Sequence, residues 1–169
     1  LVKSCSDAIV VLVLLGIFVR NTTLMKIPVG NSREDNKARK KIIMDFYAQW
    51  IAKHPDKKVW NKSLKAYIHI KFQSINETKG HASVSYDSTC AVLKLTEILE
   101  KATLEKTKPA KSNDKNQKAY DQMLFLCYNG IRLLVGHQKS TGEYVQYCIT
   151  AKKKSQPGTL TLYLVSIQA

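Results

Sequence analysis

A glutamate and a histidine at helical spacing, Glu77 and His81, are the residues of this sequence best suited to acid–base chemistry. Residues four positions apart lie on one face of a helix, so the two side chains can pair. Metal-free RNA cleavage requires a base for the 2′-hydroxyl proton, an acid for the leaving oxygen and cations around the phosphate. With Lys71 as the cation, these three residues form our catalytic hypothesis. A surface Glu–His pair without catalytic function is the alternative.

A second set of basic, aromatic and polar residues could bind a nucleic acid. Residues 64–72 alternate between apolar and polar side chains, which predicts a strand with one buried face. Aromatic rings stack on unpaired bases, and lysines pair with phosphates. The predicted contact residues are Lys65, Tyr67, His69, Lys79, Tyr86, Tyr144, Gln146, Lys152, Lys153 and Lys154. A solvated strand face and a lysine-protected sheet edge are the alternatives.

The charge of the chain favours a polyanionic partner. Lys and Arg number 27 against 13 Asp and Glu, which gives a formal net charge of +14 over 169 residues. Such an excess favours RNA or another polyanion. Six lysines lie in residues 101–118, either as a solvated loop or as an arm that contacts phosphates. An acidic protein partner would suit the same charge.

The cysteine pattern predicts neither a disulfide framework nor a metal site. The cysteines are Cys5, Cys90, Cys127 and Cys148, with no C-x-x-C and no neighbouring histidine. We therefore expect small buried thiols. The sequence also lacks a Gly-rich phosphate loop, and we predict no cofactor.

The first 25 residues differ from the remainder. Ala8–Val19 is an uninterrupted apolar run, but a spanning helix needs about 20 residues, so we expect no stable membrane span. We interpret residues 1–25 as an extension, with Met25 as the functional start, and residues 26–169 as one basic domain. This interpretation predicts a cytoplasmic protein. An export signal or membrane anchor, with lysines against anionic lipid, is the alternative.

The periodicity predicts helices first and hairpin-linked strands afterwards. Helices are expected over residues 32–53, 75–86 and 87–102, the last with a break near Thr96. Strands are expected over residues 65–72, 103–108, 120–128, 131–139, 143–151 and 159–167. Asn129-Gly130 is a strong signal for a two-residue hairpin turn. The pattern predicts an α+β domain, with N-terminal helices packed on a roughly four-stranded antiparallel sheet.

Part of the chain resembles a known group of domains. Residues 59–102, from "VWNKSLKAYIHIKFQSINETKGHAS" to "AVLKLTEILEKA", resemble small domains attached to large polyvalent proteins of bacterial mobile elements. The matching elements are Asn61 in a strand, the strand at 65–72 and the helix Ala91–Ala102. Those domains have been grouped with the barnase–EndoU–colicin–RelE-like ribonucleases. The resemblance therefore implies N-terminal helices against a roughly four-stranded antiparallel sheet, and it transfers no catalytic residue.

These observations lead to one main hypothesis and one alternative. The main hypothesis is a small basic RNA-binding domain, whose enzymatic version is a metal-independent endoribonuclease. The alternative is a non-enzymatic module that binds an acidic protein.

Overall fold

The computed structural model describes residues 22–152 and 163–166, which fall into two compact units. In one unit, strand β1 (Thr22–Met25) pairs antiparallel with strand β8 (Tyr163–Ser166). The described part of the strand predicted over 159–167, Tyr163–Ser166, is present, but it pairs with β1 and not with the hairpin-linked strands. The apolar run at 8–19, Lys153 and Lys154 lie outside the described residues.

The second unit, Ile27–Gly158, contains the helices of the described chain. They are α1 (Arg33–Lys53), α2 (Phe72–Ala82), α3 (Tyr86–Val92) and α4 (Leu95–Lys101). Helix α1 begins as predicted, because the Ser32 hydroxyl accepts a hydrogen bond from the Asp35 amide and the Asp35 carboxylate accepts one from the Ser32 amide. The predicted break in the third helix is confirmed, but it lies between α3 and α4 at residues 93–94.

Helix α2 begins three residues earlier than predicted. The spacing of Ser74 and Glu77 is typical of a capping box that begins at Ser74. In the structure, the Ser74 hydroxyl instead accepts a hydrogen bond from the backbone amide of Lys71, at 3.0 Å. The preceding strand therefore ends at His69, and Phe72, predicted on its buried face, is 76% exposed at the start of α2.

The same unit contains a six-stranded sheet. Its strands are β2 (Lys58–Asn61), β3 (Ala66–His69), β4 (Thr103–Pro109), β5 (Tyr120–Tyr128), β6 (Ile131–Gln138) and β7 (Tyr144–Ala151), in the spatial order β2-β3-β7-β6-β5-β4. All neighbours are antiparallel except β3 and β7, which are parallel. The α+β class is confirmed. The predicted sheet of roughly four antiparallel strands was too small, because the β2–β3 hairpin joins it through a parallel contact that has no local turn signal.

The helices cover one face of this sheet and form the main core with it. Buried Ile43, Tyr47 and Trp50 of α1 meet Ile68 of β3 and Leu126 of β5. A smaller cluster lies on the other face, formed by Tyr120, Met123, Val145 and Tyr147. The turn between β5 and β6 is the predicted Asn129-Gly130, with φ of 46° and 74° at the two residues.

A bulge in β7 changes which side chains face the helices. Leu134 pairs with Cys148 and Val135 pairs with Gln146, so Tyr147 is the extra residue. Strict alternation along this strand predicts Ile149 on the face opposite Gln146. The bulge instead brings both to the helix-covered face, where Gln146 is fully buried.

Buried Asn61 fixes the β2–β3 hairpin to the end of α4. Its side-chain amide donates to the carbonyls of Leu99 and Ala102, at 2.7 and 3.0 Å. Its side-chain oxygen accepts from the Leu64 amide, at 2.7 Å. Because α4 packs into the core, these three hydrogen bonds hold the hairpin in place.

Replacing this asparagine should destabilise the fold. Asn61→Ala leaves two buried carbonyls without their donor, which we expect to lower the free energy of unfolding by about 2–3 kcal/mol. The measurement is urea unfolding followed by tryptophan fluorescence. The control is exposed Asn113→Ala, and an equal midpoint for the two variants would contradict the assigned role of Asn61.

Candidate nucleic-acid interface

The β2–β3 hairpin carries a pair of exposed aromatic rings with a lysine over one of them. Trp60 and Tyr67 face each other across the hairpin and are 45% and 47% exposed. Their ring centroids lie 5.1 Å apart at an interplanar angle of 75°. The Lys58 ammonium lies 4.7 Å from the centroid of the Tyr67 ring. We call Lys58, Trp60 and Tyr67 the hairpin platform.

The platform lies on the sheet face opposite the main core. Directly paired residues of neighbouring strands point to the same face. One such row crosses the whole sheet, formed by Lys58, His69, Val145, Gly136, Met123 and Lys108. At the far edge, the ammonium groups of Lys106 and Lys108 lie 5.1 and 5.9 Å from the centroid of Phe125. Cations and aromatic rings therefore occur together at both edges of this face.

A charged cluster lies where β3 ends and α2 begins. The Lys71 ammonium donates to Glu143, at 2.6 Å, and to the side-chain oxygen of Gln138, at 2.5 Å. His69 Nε2 lies 3.9 Å from the other Glu143 oxygen. The Lys71 ammonium and the Thr141 hydroxyl hold the pKa of the Glu143 carboxyl below its usual value, with a smaller contribution from His69. Glu143 is therefore charged at neutral pH.

A surface cleft of about 510 Å³ adjoins this cluster. It is lined by Ile51, Asp56, Lys57, His69, Ile70, Lys71, Phe72 and Ile75. His69 belongs to both features, because it lines the cleft and pairs with Lys58 across the hairpin. The cleft and the hairpin platform are therefore neighbours.

The predicted catalytic residues lie along a single helix. Lys71 caps the start of α2, and His81 lies near its end. Ten residues of α-helix correspond to a rise of about 15 Å. The structure thus brings Glu77 and His81 together, with 3.5 Å between the Glu77 carboxylate and His81 Nε2, but places Lys71 at the other end of the helix.

Glu77 and His81 differ in their environments. The Glu77 side chain is 13% exposed, whereas the His81 side chain is 60% exposed. Burial raises the pKa of Tyr147, and the negative charges of Glu77 and Asp114 raise it further. The Tyr147 hydroxyl therefore stays protonated at neutral pH.

The other predicted contact residues are distributed over several parts of the unit. Lys65 is exposed in the turn between β2 and β3, close in sequence to the platform. The Lys79 ammonium contacts Asn76, and Tyr86 is half-buried at the start of α3. The Tyr144 ring packs at 5.2 Å from the ring of His137. The Lys152 ammonium pairs with Glu105 of β4.

Gln146 is not on the surface. Its side-chain oxygen accepts from the Tyr47 hydroxyl at 3.0 Å, and its amide donates to the Thr78 hydroxyl at 2.6 Å. Burial raises the pKa of Tyr47, which keeps this hydroxyl a donor. This buried network connects α1, α2 and β7. Gln146 is therefore a core residue and is not accessible to a ligand on the surface.

The sequence interpretation missed Trp60. The role of Trp60 depends on Tyr67, which lies across the hairpin and not next to it in the sequence. The available signal was the alternation Lys58, Trp60 in "KVWN", which matches a polar-faced strand.

These features define a basic α+β domain with an aromatic and cationic hairpin at one edge of its sheet. The family model of large polyvalent protein-associated domain 3 matches residues 36–125, which is more than half of the chain. The chain belongs to this family, and the resemblance to domains of polyvalent proteins is confirmed. The implied grouping with ribonucleases stays a prediction. Searches of curated proteins and of solved structures gave no match.

Within 22–152 and 163–166, no helix has both the length and the hydrophobicity required to cross a bilayer.

The pairing of Glu143 with Lys71 predicts a specific pH response. The Glu143 carboxyl should titrate below the ordinary value of 4.5, so the pair stabilises the fold above that pH and loses this contribution as the pH falls through the folded-state pKa. Lys71→Met should raise the pH midpoint of the Glu143 titration, because it removes the ammonium that stabilises the carboxylate. The measurement is the carboxyl ¹³C shift against pH. Lys62→Met, which removes the partner of Glu100, is the control; equal Glu143 midpoints in both variants would contradict the assignment.

Proposed function

We propose that this domain binds single-stranded RNA, with the hairpin platform stacking on bases and the adjacent cations contacting phosphates. The observation that carries the proposal is the exposure of Trp60 and Tyr67 beside Lys58 on a hairpin anchored by Asn61. Aromatic rings on a rigid support lose little conformational freedom when a base stacks on them. Single-stranded RNA offers unpaired bases that can reach such rings.

The charge distribution supports the same proposal. Lys58 and Lys65 lie on or beside the platform, and Lys57 and Lys71 lie at the adjoining cleft. The net charge of +14 adds a general attraction to polyanions. Each phosphate contact releases counterions, so affinity should fall steeply with salt. Stacking provides the part of the affinity that salt does not remove.

Removing a platform ring should weaken RNA binding. Base–aromatic stacking contributes about 1–3 kcal/mol, so Trp60→Ala should reduce affinity for octauridylate about 5- to 150-fold. The measurement is fluorescence anisotropy at fixed salt, with a DNA oligomer of equivalent sequence to detect any preference for the 2′-hydroxyl. Met44→Ala, which truncates an exposed apolar residue on α1, is the control.

Two outcomes would contradict RNA binding by this surface. One is an equal affinity for the Trp60 and Met44 variants. The other is capture of a defined acidic protein by the wild-type chain together with no RNA binding at moderate salt. This second result would favour the protein-interaction module.

A second candidate function is metal-independent RNA cleavage at Glu77 and His81. The specific observation that favours it is a mostly buried carboxylate that pairs with an exposed imidazole. Such an arrangement has the groups needed to accept and return a proton. The cation would have to come from a residue other than Lys71, because Lys71 lies at the opposite end of α2.

Cleavage at the Glu77–His81 pair depends on the imidazole of His81. His81→Ala should reduce the rate of RNA cleavage in the presence of a chelator by about 100-fold or more, because a positioned acid–base group contributes about 10²–10⁴. The measurement is gel analysis of a labelled RNA. His54→Ala, a histidine stacked on Trp50, is the control. Intact RNA after long incubation with folded wild-type protein would exclude this candidate.

A further inference from the structure

The cleft beside the hairpin platform has features of a nucleotide site. Its volume of about 510 Å³ is within the range of small-molecule pockets. Phe72 on its rim is 76% exposed, the highest exposure among the large apolar side chains of the described residues. Lys57, Lys71 and His69 line it, with Asp56 as the one carboxylate in the lining.

An exposed phenylalanine beside cations suits a base and its phosphate. A phenyl ring exposed to water lacks the favourable free energy of burial. Stacking of a base on the ring would recover part of this free energy. The lysines would pair with the phosphate, which carries no sequence information. A nucleotide supplies both a ring to lie against Phe72 and an anion for the lysines, whereas an apolar peptide supplies no anion.

Glu143 already pairs with Lys71, the cation that the phosphate would need. The Lys71 ammonium already contacts the Glu143 carboxylate at 2.6 Å, and His69 lies 3.9 Å from the same group. A carboxylate and a phosphate are both oxygen anions that bind a lysine. The two side chains of the Lys71–Glu143 pair are 39% and 35% exposed, so exchange of one anion for another does not require the core to open.

We propose that this cleft binds one nucleotide of the RNA chain, with its phosphate replacing Glu143 on Lys71 and its base lying against Phe72. The proposal rests on the proposed function and adds a second contact beside the platform. His69 connects the hairpin platform with the cleft, because it pairs with Lys58 across the hairpin and also lines the cleft. Glu143 thereby acts as an internal competitor that lowers the affinity for weakly bound anions.

The test uses uridine monophosphate, inorganic phosphate and octauridylate as separate probes on the full chain. Amide shifts in ¹H–¹⁵N spectra should locate uridine monophosphate at Lys57, Lys71 and Phe72. Glu143→Gln should tighten its binding about two- to five-fold, because a partly exposed ion pair of this kind is weak. Phe72→Ala should weaken uridine monophosphate binding and leave inorganic phosphate binding unchanged.

A matched variant separates local competition from net charge. Glu100→Gln removes the same charge from a carboxylate that pairs with Lys62, at 3.0 Å, outside the cleft. If Glu100→Gln tightens binding as much as Glu143→Gln, competition by Glu143 is overturned. Dispersed amide spectra of each variant confirm that it is folded.

The octauridylate measurement distinguishes RNA binding by the domain from nucleotide binding in the cleft. If octauridylate binds and shifts the platform but no probe shifts the cleft, the nucleotide site is wrong and RNA binding stands. If octauridylate does not bind the wild-type chain, the proposed function fails. Uridine monophosphate binding in the cleft would then show a free-nucleotide site, which overturns the assignment to an RNA chain.

Discussion

The location of the candidate interface depends on a very short join in the sheet. Strand β3 pairs with β7 through Ile68 with Tyr144 and His69 with Val145. These two pairs are the parallel contact that connects the β2–β3 hairpin to the other four strands. Fully buried Ile68 reinforces the join by packing into the main core. The hairpin platform, the cleft and the contact between Lys71 and Glu143 all depend on it.

Two buried polar side chains support this join from either side. Asn61 holds the hairpin to the end of α4. Gln146 ties β7 to α1 and α2 through the hydroxyls of Tyr47 and Thr78. A buried amide that loses its partners is costly, so both residues restrict the alternative positions of the elements that they connect.

A buried arginine fixes the segment before α1 in a related way. The Arg39 side chain is fully buried and donates to the carbonyls of Ser83, Pro28 and Gly30, at 2.7, 2.9 and 2.6 Å. These carbonyls belong to the end of α2 and to the chain preceding α1. The charge is therefore satisfied by backbone dipoles, and α1 is held against the end of α2.

Interactions between residues that are close in sequence account for much of this architecture. Ser32 and Asp35 cap α1, and Asn129-Gly130 forms the β5–β6 turn. Apolar residues at helical spacing, Ile43, Tyr47 and Trp50, form the buried face of α1. Tyr67 and His69 were predicted on a polar strand face by alternation, and they lie there. Such features depend on neighbours within a few residues, so the sequence alone specifies them.

Long-range packing decided the rest. The parallel join of β3 to β7 needs partners about 75 residues apart, and no local turn encodes it. The bulge at Tyr147 moved Gln146 and Ile149 to the same face, which alternation cannot anticipate. Trp60 gained its partner only across the hairpin, and Lys71 was separated from His81 only by the early start of α2. The sequence determined which side chains could bind a polyanion, and the tertiary structure decided which of them share one surface.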